Sequence, residues 1–189
     1  AVFGVSALPS FDVGQADLII DLGSDFIDTG LSPTEHARQF ADARDVKLHS
    51  DGGTRLISVG PRMNLTTASA DQWIPAKAGS EGLIALALAK AVYDAKGVPS
   101  GSDSAAVESL LRGADAATAA SRAGLEKGDV KALADKLLHA KHPVVLPPGV
   151  AMTSSSATTT MAAVLVLNVA LGAAGRSMLI PASDDGAAP

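Results

Sequence analysis

The chain has 189 residues and a net charge of −5, and 47% of its residues are hydrophobic while only 3% are aromatic. This length suffices for one compact domain, with a core built mainly from Leu, Val, Ile and Ala. Lys and Arg form no cluster, which argues against a nucleic-acid partner, since phosphate contacts need clustered cations. Cys is absent, which excludes disulfides, thiolate metal ligands and cysteine-held iron–sulfur clusters within this segment.

The first half of the chain alternates short apolar stretches with Gly turns and helical segments. Ser32 is a suitable N-cap and Pro33 suits the first position of a helix, so a helix is predicted to begin there. Pro75 keeps Ile74 out of the helical region, which indicates a short extended piece. The predicted elements are a strand at 16–23 that runs into a Gly turn, a helix at 33–44, a strand at 55–60, an extended piece at 73–75 and a buried helix at 81–95.

The second half begins with a stretch rich in Gly, Pro and Ser at residues 97–104, which predicts a surface loop. The apolar stretch 161–175 contains Asn168 and is shorter than the roughly 20 residues of a membrane-spanning helix. It therefore predicts a buried core helix and no membrane span. The other expected elements are helices at about 104–112, 115–122 and 129–141, a strand at 143–146, a helix at 155–171 and a flexible tail at 183–189.

The order of these elements predicts the fold class. Strands that alternate with helices favour a mostly parallel sheet whose two faces are both covered. We therefore expect an α/β domain with a doubly wound, Rossmann-like sheet and helices on both faces. Residues 1–182 are predicted to form this single domain, with the loop at 97–104 as its longest surface excursion.

Three places in this fold are candidates for ligand binding, and each has an alternative structural interpretation. Gly23, Ser24 and Asp25 follow a strand at the edge where open α/β sheets bind ligands, but the same residues suit a plain turn. The hydroxyl residues at 153–156 precede a helix, where they would either bind a phosphate or cap the helix. Glu81 at the start of a helix would accept hydrogen bonds from a base or a ribose, or balance the helix dipole.

The sequence holds no recognisable catalytic or metal-binding motif. A GxGxxG fingerprint, a Walker loop, a nucleophile elbow and an HExxH pair are all absent. His139 and His142 lie three residues apart, but Pro143 follows and no acidic residue has ligand spacing, so no metal site is predicted. Trp73, the only Trp, is expected in the core rather than stacked on a cofactor. The residues alone thus indicate a nucleotide-binding type of domain without a visible catalytic group.

Short segments along residues 16–176 also match a set of motifs in a defined order. The segment ADLIIDLGSD at 16–25 is similar to the motif ADxxxxxGxN/D, and VGPR at 59–62 is similar to DPR. Next, TTASADQWIP at 66–75 is similar to TAxxADxWLP, and AKAGSE at 76–81 is similar to IRPGTD. Near the end of the chain, the segment 167–176 is similar to LNLLTGNIGRPG. In this order they resemble the molybdopterin oxidoreductases of the dimethyl-sulfoxide-reductase superfamily. The resemblance implies an oxidoreductase-type α/β domain that covers nearly the whole chain.

Within that superfamily, SPTEHARQF at 32–40 is most similar to the large iron–sulfur/molybdopterin-type subunits of quinone-linked complexes. These include alternative complex III and the menaquinone reductase complex. Some of these subunits keep the fold and have lost the molybdenum cofactor. The resemblance implies a component of a membrane-associated electron-transfer complex on the periplasmic side of a membrane, with iron–sulfur subunits and membrane quinone subunits as partners.

The resemblance also implies positions for a cofactor site, together with departures from it. Gly60 stands where the family has the Asp of DPR, and Lys77 and Ala78 replace the Arg and Pro of IRPGTD. Losing one charge-assisted hydrogen bond removes roughly 1.5–3 kcal/mol, which weakens binding by about one to two orders of magnitude. The implied domain therefore lacks both its cofactor and catalysis. The positions that match the family's site for molybdopterin guanine dinucleotide are Gly23, Ser24, Asp25, Arg62, Gly79, Ser80 and Glu81.

Two alternative functions stay open on the sequence alone. In one, the chain is a fragment of a catalytic molybdenum enzyme that binds molybdopterin guanine dinucleotide, and other parts supply the metal ligand and an iron–sulfur cluster. In the other, it is a stand-alone nucleotide-binding module that uses Gly23 and residues 154–156.

Overall fold

The computed structural model describes residues 9–49, 52–97, 104–126, 128–149 and 157–180. Its central strands are short and bury side chains on both faces, as strands of a covered parallel sheet do. The strands are β1 (Ser10–Phe11), β2 (Leu18–Asp21), β3 (Arg55–Gly60), β4 (Gln72–Pro75), β5 (Pro143–Leu146) and β6 (Met178–Leu179). The helices are α1 (Pro33–Ala43), α2 (Leu65–Ala68), α3 (Glu81–Lys96), α4 (Ser104–Leu111), α5 (Ala116–Ala123), α6 (Asp129–His139) and α7 (Ala157–Leu171), with a 3-10 helix at Val13–Gln15.

Strands β2 to β5 form one parallel sheet in the spatial order β4-β3-β2-β5. From β2 the chain builds outward through β3 to β4, and it then returns to place β5 on the other side of β2. The direction of winding therefore reverses between β2 and β5, and the carboxyl ends of these two strands flank the switch point. This topology confirms the predicted doubly wound α/β class.

Helices cover both faces of the sheet because successive strand residues point to opposite sides. On one face, α3, α5 and α6 pack with Ile20 of β2. On the other face, α1, the 3-10 helix and the β1–β6 pair pack with Ile19. Helix α7 contributes to both cores, with Leu167 in the first and Leu165 in the second.

The edge strand β5 is completed by a side chain rather than by another strand. The Val145 N–H donates to Asn168 Oδ1 at 2.9 Å, and Asn168 Nδ2 donates to the Val145 carbonyl at 2.7 Å. Asn168 is fully buried on α7, so its amide satisfies two backbone groups that water does not reach. The polar residue inside the apolar stretch 161–175 therefore serves the sheet.

Most predicted elements are confirmed, with ends that differ by a residue or two. Strands β1 and β6 and helix α2 were not predicted, because they have too few residues to show a period. The expectation for Trp73 is wrong: its side chain is 37% exposed on the edge strand β4 rather than in the core.

Some sequence predictions lie beyond what the structure describes. Residues 98–103 of the predicted loop, the hydroxyl run at 153–156 and the tail at 183–189 all lie outside the described residues. Among the helices that are described, none combines the length and the hydropathy that a bilayer crossing requires.

Candidate functional site

A cleft of about 320 Å³ opens at the carboxyl edge of the sheet, where the turns after β2, β3 and β4 meet. This is the switch-point location at which doubly wound sheets bind ligands. Four of the predicted site residues, Gly23, Arg62, Gly79 and Glu81, line it, whereas Ser24, Asp25 and Ser80 do not. The remaining lining residues are Gly60, Pro61, Asn64, Thr67, Ala78 and Pro148.

The turn after β2 is organised by the buried carboxylate of Asp21. It accepts hydrogen bonds from the Ser24 backbone N–H at 2.6 Å, from Ser24 Oγ at 2.5 Å and from Ser58 Oγ at 2.9 Å. Burial raises the pKa of Asp21 above its ordinary value, and the hydrogen bonds from Ser24 and Ser58 oppose that rise. The Ser24 hydroxyl is therefore engaged within the turn, which explains why it does not reach the cleft.

Asp25 also serves the turn rather than the cleft. Its backbone has a left-handed φ of 51°, and its side chain is 4% exposed. The carboxylate accepts hydrogen bonds from Thr66 Oγ1 at 3.2 Å and from Thr29 Oγ1 at 3.4 Å. Because Thr66 lies on α2, Asp25 ties the first turn of the sheet to the segment that follows β3.

Glu81 is the polar group that the fold leaves without a partner in the cleft. It is the first residue of α3 and only 5% exposed, and its Oε2 has no hydrogen-bond partner among the residues that the structure describes. The neighbouring Ser80 hydroxyl donates to the Lys77 carbonyl at 2.5 Å instead of capping the helix. The helix N-terminus favours a negative charge at this point.

Glycines keep the floor of the cleft open. Gly23 and Gly79 have φ values of +80° and +82°, and a Cβ added to either would meet no atom within 4 Å. At Gly60 an added Cβ would lie 3.7 Å from Gly23 Cα, which is an ordinary contact. The Gly149 N–H donates to the Gly23 carbonyl at 3.2 Å, so the turns after β2 and β5 are in direct contact at the switch point.

Sequence reasoning missed Asn64 and Thr67, two polar residues that line the cleft. Thr67 shares a hydrogen bond of 2.9 Å with Ser58 Oγ, and Asn64 Oδ1 accepts from the Thr67 N–H at 2.7 Å as the N-cap of α2. The signal for the cap was present, since Asn precedes a short helical segment. The link between Asp21, Ser58 and Thr67 depends on the pairing of β2 with β3, which no local pattern indicates.

Comparisons with known proteins show what the chain is similar to. No family model matches the chain. It is 27% identical over 169 residues to the "Menaquinone reductase, molybdopterin-binding-like subunit" of Nitratidesulfovibrio vulgaris, and this alignment covers 88% of the chain. This similarity agrees with the resemblance of the sequence motifs to the molybdopterin oxidoreductase superfamily.

A solved structure shares the fold. The structure superposes on acetylene hydratase from Pelobacter acetylenicus with a TM-score of 0.68 at 15% sequence identity, and 93% of this chain is covered. The chain spans 24% of the length of the menaquinone reductase subunit and 24% of acetylene hydratase. The similarity to each therefore concerns about a quarter of a longer protein.

Two carboxylates in the superfamily-like motifs have structural roles far from the cleft. Asp17 accepts hydrogen bonds from the backbone N–H groups of Lys141 and His142 at 2.7 and 2.8 Å, where the chain enters β5. Asp71 accepts from the Leu56 N–H at 2.8 Å and pairs in bidentate fashion with Arg44 at 2.8 and 3.1 Å. Both therefore hold the amino-terminal ends of strands.

Three of the four histidines contact other groups among the described residues. His36 Nε2 lies 3.1 Å from the Phe11 carbonyl, His139 Nδ1 lies 2.7 Å from the Asp135 carbonyl, and His142 contacts Arg176. Within the described ranges, no group of three His, Cys, Asp or Glu side chains is placed to hold a metal ion.

Proposed function

We propose that this chain is a molybdopterin-oxidoreductase-like domain in a subunit of a membrane-associated, quinone-linked electron-transfer complex. There it serves as a structural scaffold without a cofactor or catalysis of its own. The similarity to a menaquinone reductase subunit supports the assembly. The observation that carries the scaffold role is the state of the cleft, in which the hydroxyl groups expected to meet a ligand are engaged within the protein.

The described residues do not fit a pterin dinucleotide. Such a ligand needs donors or cations for its phosphates, and Arg62 is the one cation among the described lining residues. The hydroxyls of Ser24 and Ser80 donate to groups of their own turns, and Thr67 is paired with Ser58. Glu81 offers one unpaired oxygen for a nucleoside, but Gly60 supplies no second carboxylate.

In the proposed assembly, the domain holds iron–sulfur subunits against a membrane quinone module on the periplasmic side. The doubly wound core suits this role, because helices bury both faces of the sheet and make it rigid. Export of the native subunit is tested by protease digestion of intact spheroplasts. Digestion of the subunit before lysis supports periplasmic exposure, and protection until lysis contradicts it.

Composition of the native complex tests the proposed function. The subunit is purified from its host under mild conditions, and molybdenum, tungsten and oxidised pterin are measured by mass spectrometry and fluorescence. We expect iron–sulfur and membrane subunits to copurify, with neither metal nor pterin stoichiometric with this chain. Stoichiometric pterin in the unmodified complex would contradict this expectation. If that pterin is lost in a Glu81→Gln complex and kept in a Glu108→Gln complex, the cofactor is assigned to this cleft and the scaffold role is overturned. Glu108 is a suitable control because it is exposed on α4.

A further inference from the structure

We propose that the cleft is an anchor pocket for an arginine side chain of a partner subunit, held by the carboxylate of Glu81. The inference rests on the proposed role as a component of a complex, and it names the chemistry of one contact in that complex. It begins from a buried oxygen without a partner, because buried polar atoms in native proteins are almost always hydrogen-bonded.

Glu81 is nine-tenths buried and lines the cleft, and its Oε2 is not paired within the described part of the chain. A buried carboxylate without a partner destabilises the protein unless a cation or donor reaches it. No ion pair joins it to Arg62 within the described residues, although both line the same cleft. Among the described residues, Glu81 therefore keeps one oxygen to which a group from outside the domain can donate.

The chemistry of Glu81 favours a cationic donor as its partner. A carboxylate accepts hydrogen bonds, and a cation forms the stronger, charge-assisted contact with it. A guanidinium suits a carboxylate better than an ammonium does, because it presents paired donors in one plane and is more weakly hydrated.

The rim of the cleft indicates that the cation belongs to a polypeptide. Met63 and Leu65 are 63% and 52% exposed, and they flank Asn64, which lines the cleft. Trp73 is 37% exposed, and its Nε1 donates to the carbonyl of Gly60, another lining residue. Exposed apolar and aromatic side chains are typical of the central part of protein–protein interfaces, where Arg is also enriched.

The first test uses the purified chain and small probes. Backbone amide shifts of Gly23 and Gly79 are followed by NMR during titration with N-acetyl-arginine amide, N-acetyl-lysine amide, guanosine and inorganic phosphate. We expect saturable shifts with the arginine probe, and affinity about tenfold or more lower in Glu81→Gln, since a charge-assisted bidentate contact is lost. Glu108→Gln should bind as the unmodified chain does. Equal binding by Glu81→Gln, or a preference for guanosine or phosphate, overturns the proposal.

Two further outcomes are informative. If Arg62 is the natural partner of Glu81, the arginine probe binds only after Arg62→Ala, and the proposal fails. In the native complex, a photo-reactive phenylalanine analogue at position 63 should cross-link to a partner segment that contains an Arg, and Ala at that Arg should weaken copurification. If the other subunits copurify with the chain, but neither the arginine probe nor the partner's Arg depends on Glu81, this inference is wrong and the proposed function is unaffected. If no other subunit copurifies with the unmodified chain, the result counts against the proposed function. Binding of the arginine probe to the cleft is measured on the purified chain and does not depend on that outcome.

Discussion

Two buried polar side chains, Asp21 and Asn168, show how single residues are used at this sheet. Asp21 ends β2 with no exposed surface and receives three hydrogen bonds from Ser24 and Ser58. Asn168 replaces a neighbouring strand along β5. In both cases a polar group is buried because it satisfies other polar groups, and each arrangement makes a measurable prediction.

Asp21 should make the free energy of unfolding depend on pH in a particular direction. Its pKa is raised in the folded protein, mainly by burial, so the folded state keeps a proton that the unfolded chain has already lost. Stability is therefore expected to fall as pH rises from about 3.9, the ordinary value for Asp, through the raised folded pKa. Asp21→Asn should remove this decline, because the amide keeps one acceptor and carries no charge.

The measurement is urea denaturation of both proteins at a series of pH values between acid and neutral. Asp28→Asn controls for the change in net charge, since Asp28 is exposed in the next loop. An Asp21→Asn protein with the same pH dependence as the unmodified protein would show that the buried carboxylate is not the group responsible.

Asn168→Ala should destabilise the domain strongly. It leaves the N–H and the carbonyl of Val145 buried without partners, at about 2–5 kcal/mol for the two groups. Urea denaturation compares this variant with Thr159→Ala, an exposed change on the same helix. A loss of stability no larger than that of the control would contradict the assigned role of the amide.

At the scale of elements, α3 and α7 approach closely at one position that has no side chain. A Cβ at Gly82 would lie 2.4 Å from Thr160 Oγ1, and Thr160 is 4% exposed. Long apolar stretches predict both helices, whereas the close contact between them depends on a pair of residues far apart in sequence. Local patterns therefore identify the helices but not the position at which they touch.

Gly82→Ala is expected to destabilise the protein by about 1–2 kcal/mol through overpacking, even though Ala gains about 1 kcal/mol over Gly in helix propensity. Adding Thr160→Ala should relieve the clash, so the double variant should be more stable than the two single changes predict by addition. Thermal or urea denaturation of the four proteins gives the coupling. If the changes in the free energy of unfolding of the two single variants simply add in the double variant, the contact between Gly82 and Thr160 does not constrain the packing of the helices.

At the scale of the whole molecule, the sheet is anchored at β2. This strand pairs with β3 on one side and with β5 on the other, and its residues belong to both cores. The β1–β6 pair has only two residues in each strand and lies outside the main sheet. Cooperative stability should therefore be highest at β2 and lowest at the small pair.

Hydrogen exchange provides the corresponding test. Amides of Ile19 and Ile20 should exchange only through global unfolding, while those of Phe11 and Leu179 should exchange through local opening, faster by orders of magnitude. Exchange is followed by NMR under native conditions, and the free energy for Ile19 and Ile20 is compared with that from denaturation. Equal protection of the two regions would contradict this order.

The structure places some of the predicted site residues at the cleft and others away from it. Gly23, Gly79 and Glu81 line it, and turn signals and helix starts, which are local, mark these positions in the sequence. Ser24 and Ser80 carry the same kind of signal, but their hydroxyls donate to Asp21 and to the Lys77 carbonyl. A hydroxyl can turn toward the ligand or toward its own loop, and its neighbours in space decide which.

The sequence by itself determined the fold class, most elements and the location of the cleft, because periodicity, turn residues and the order of strands are properties of the chain. Only the tertiary structure decided which polar groups remain free. Asp21 meets Ser58, and Asn168 meets Val145, through strand pairing and helix packing that join distant segments. Glu81 is left unpaired by the same packing. Hydrogen-bond satisfaction is a property of the folded neighbourhood, so it could not be read from any local pattern.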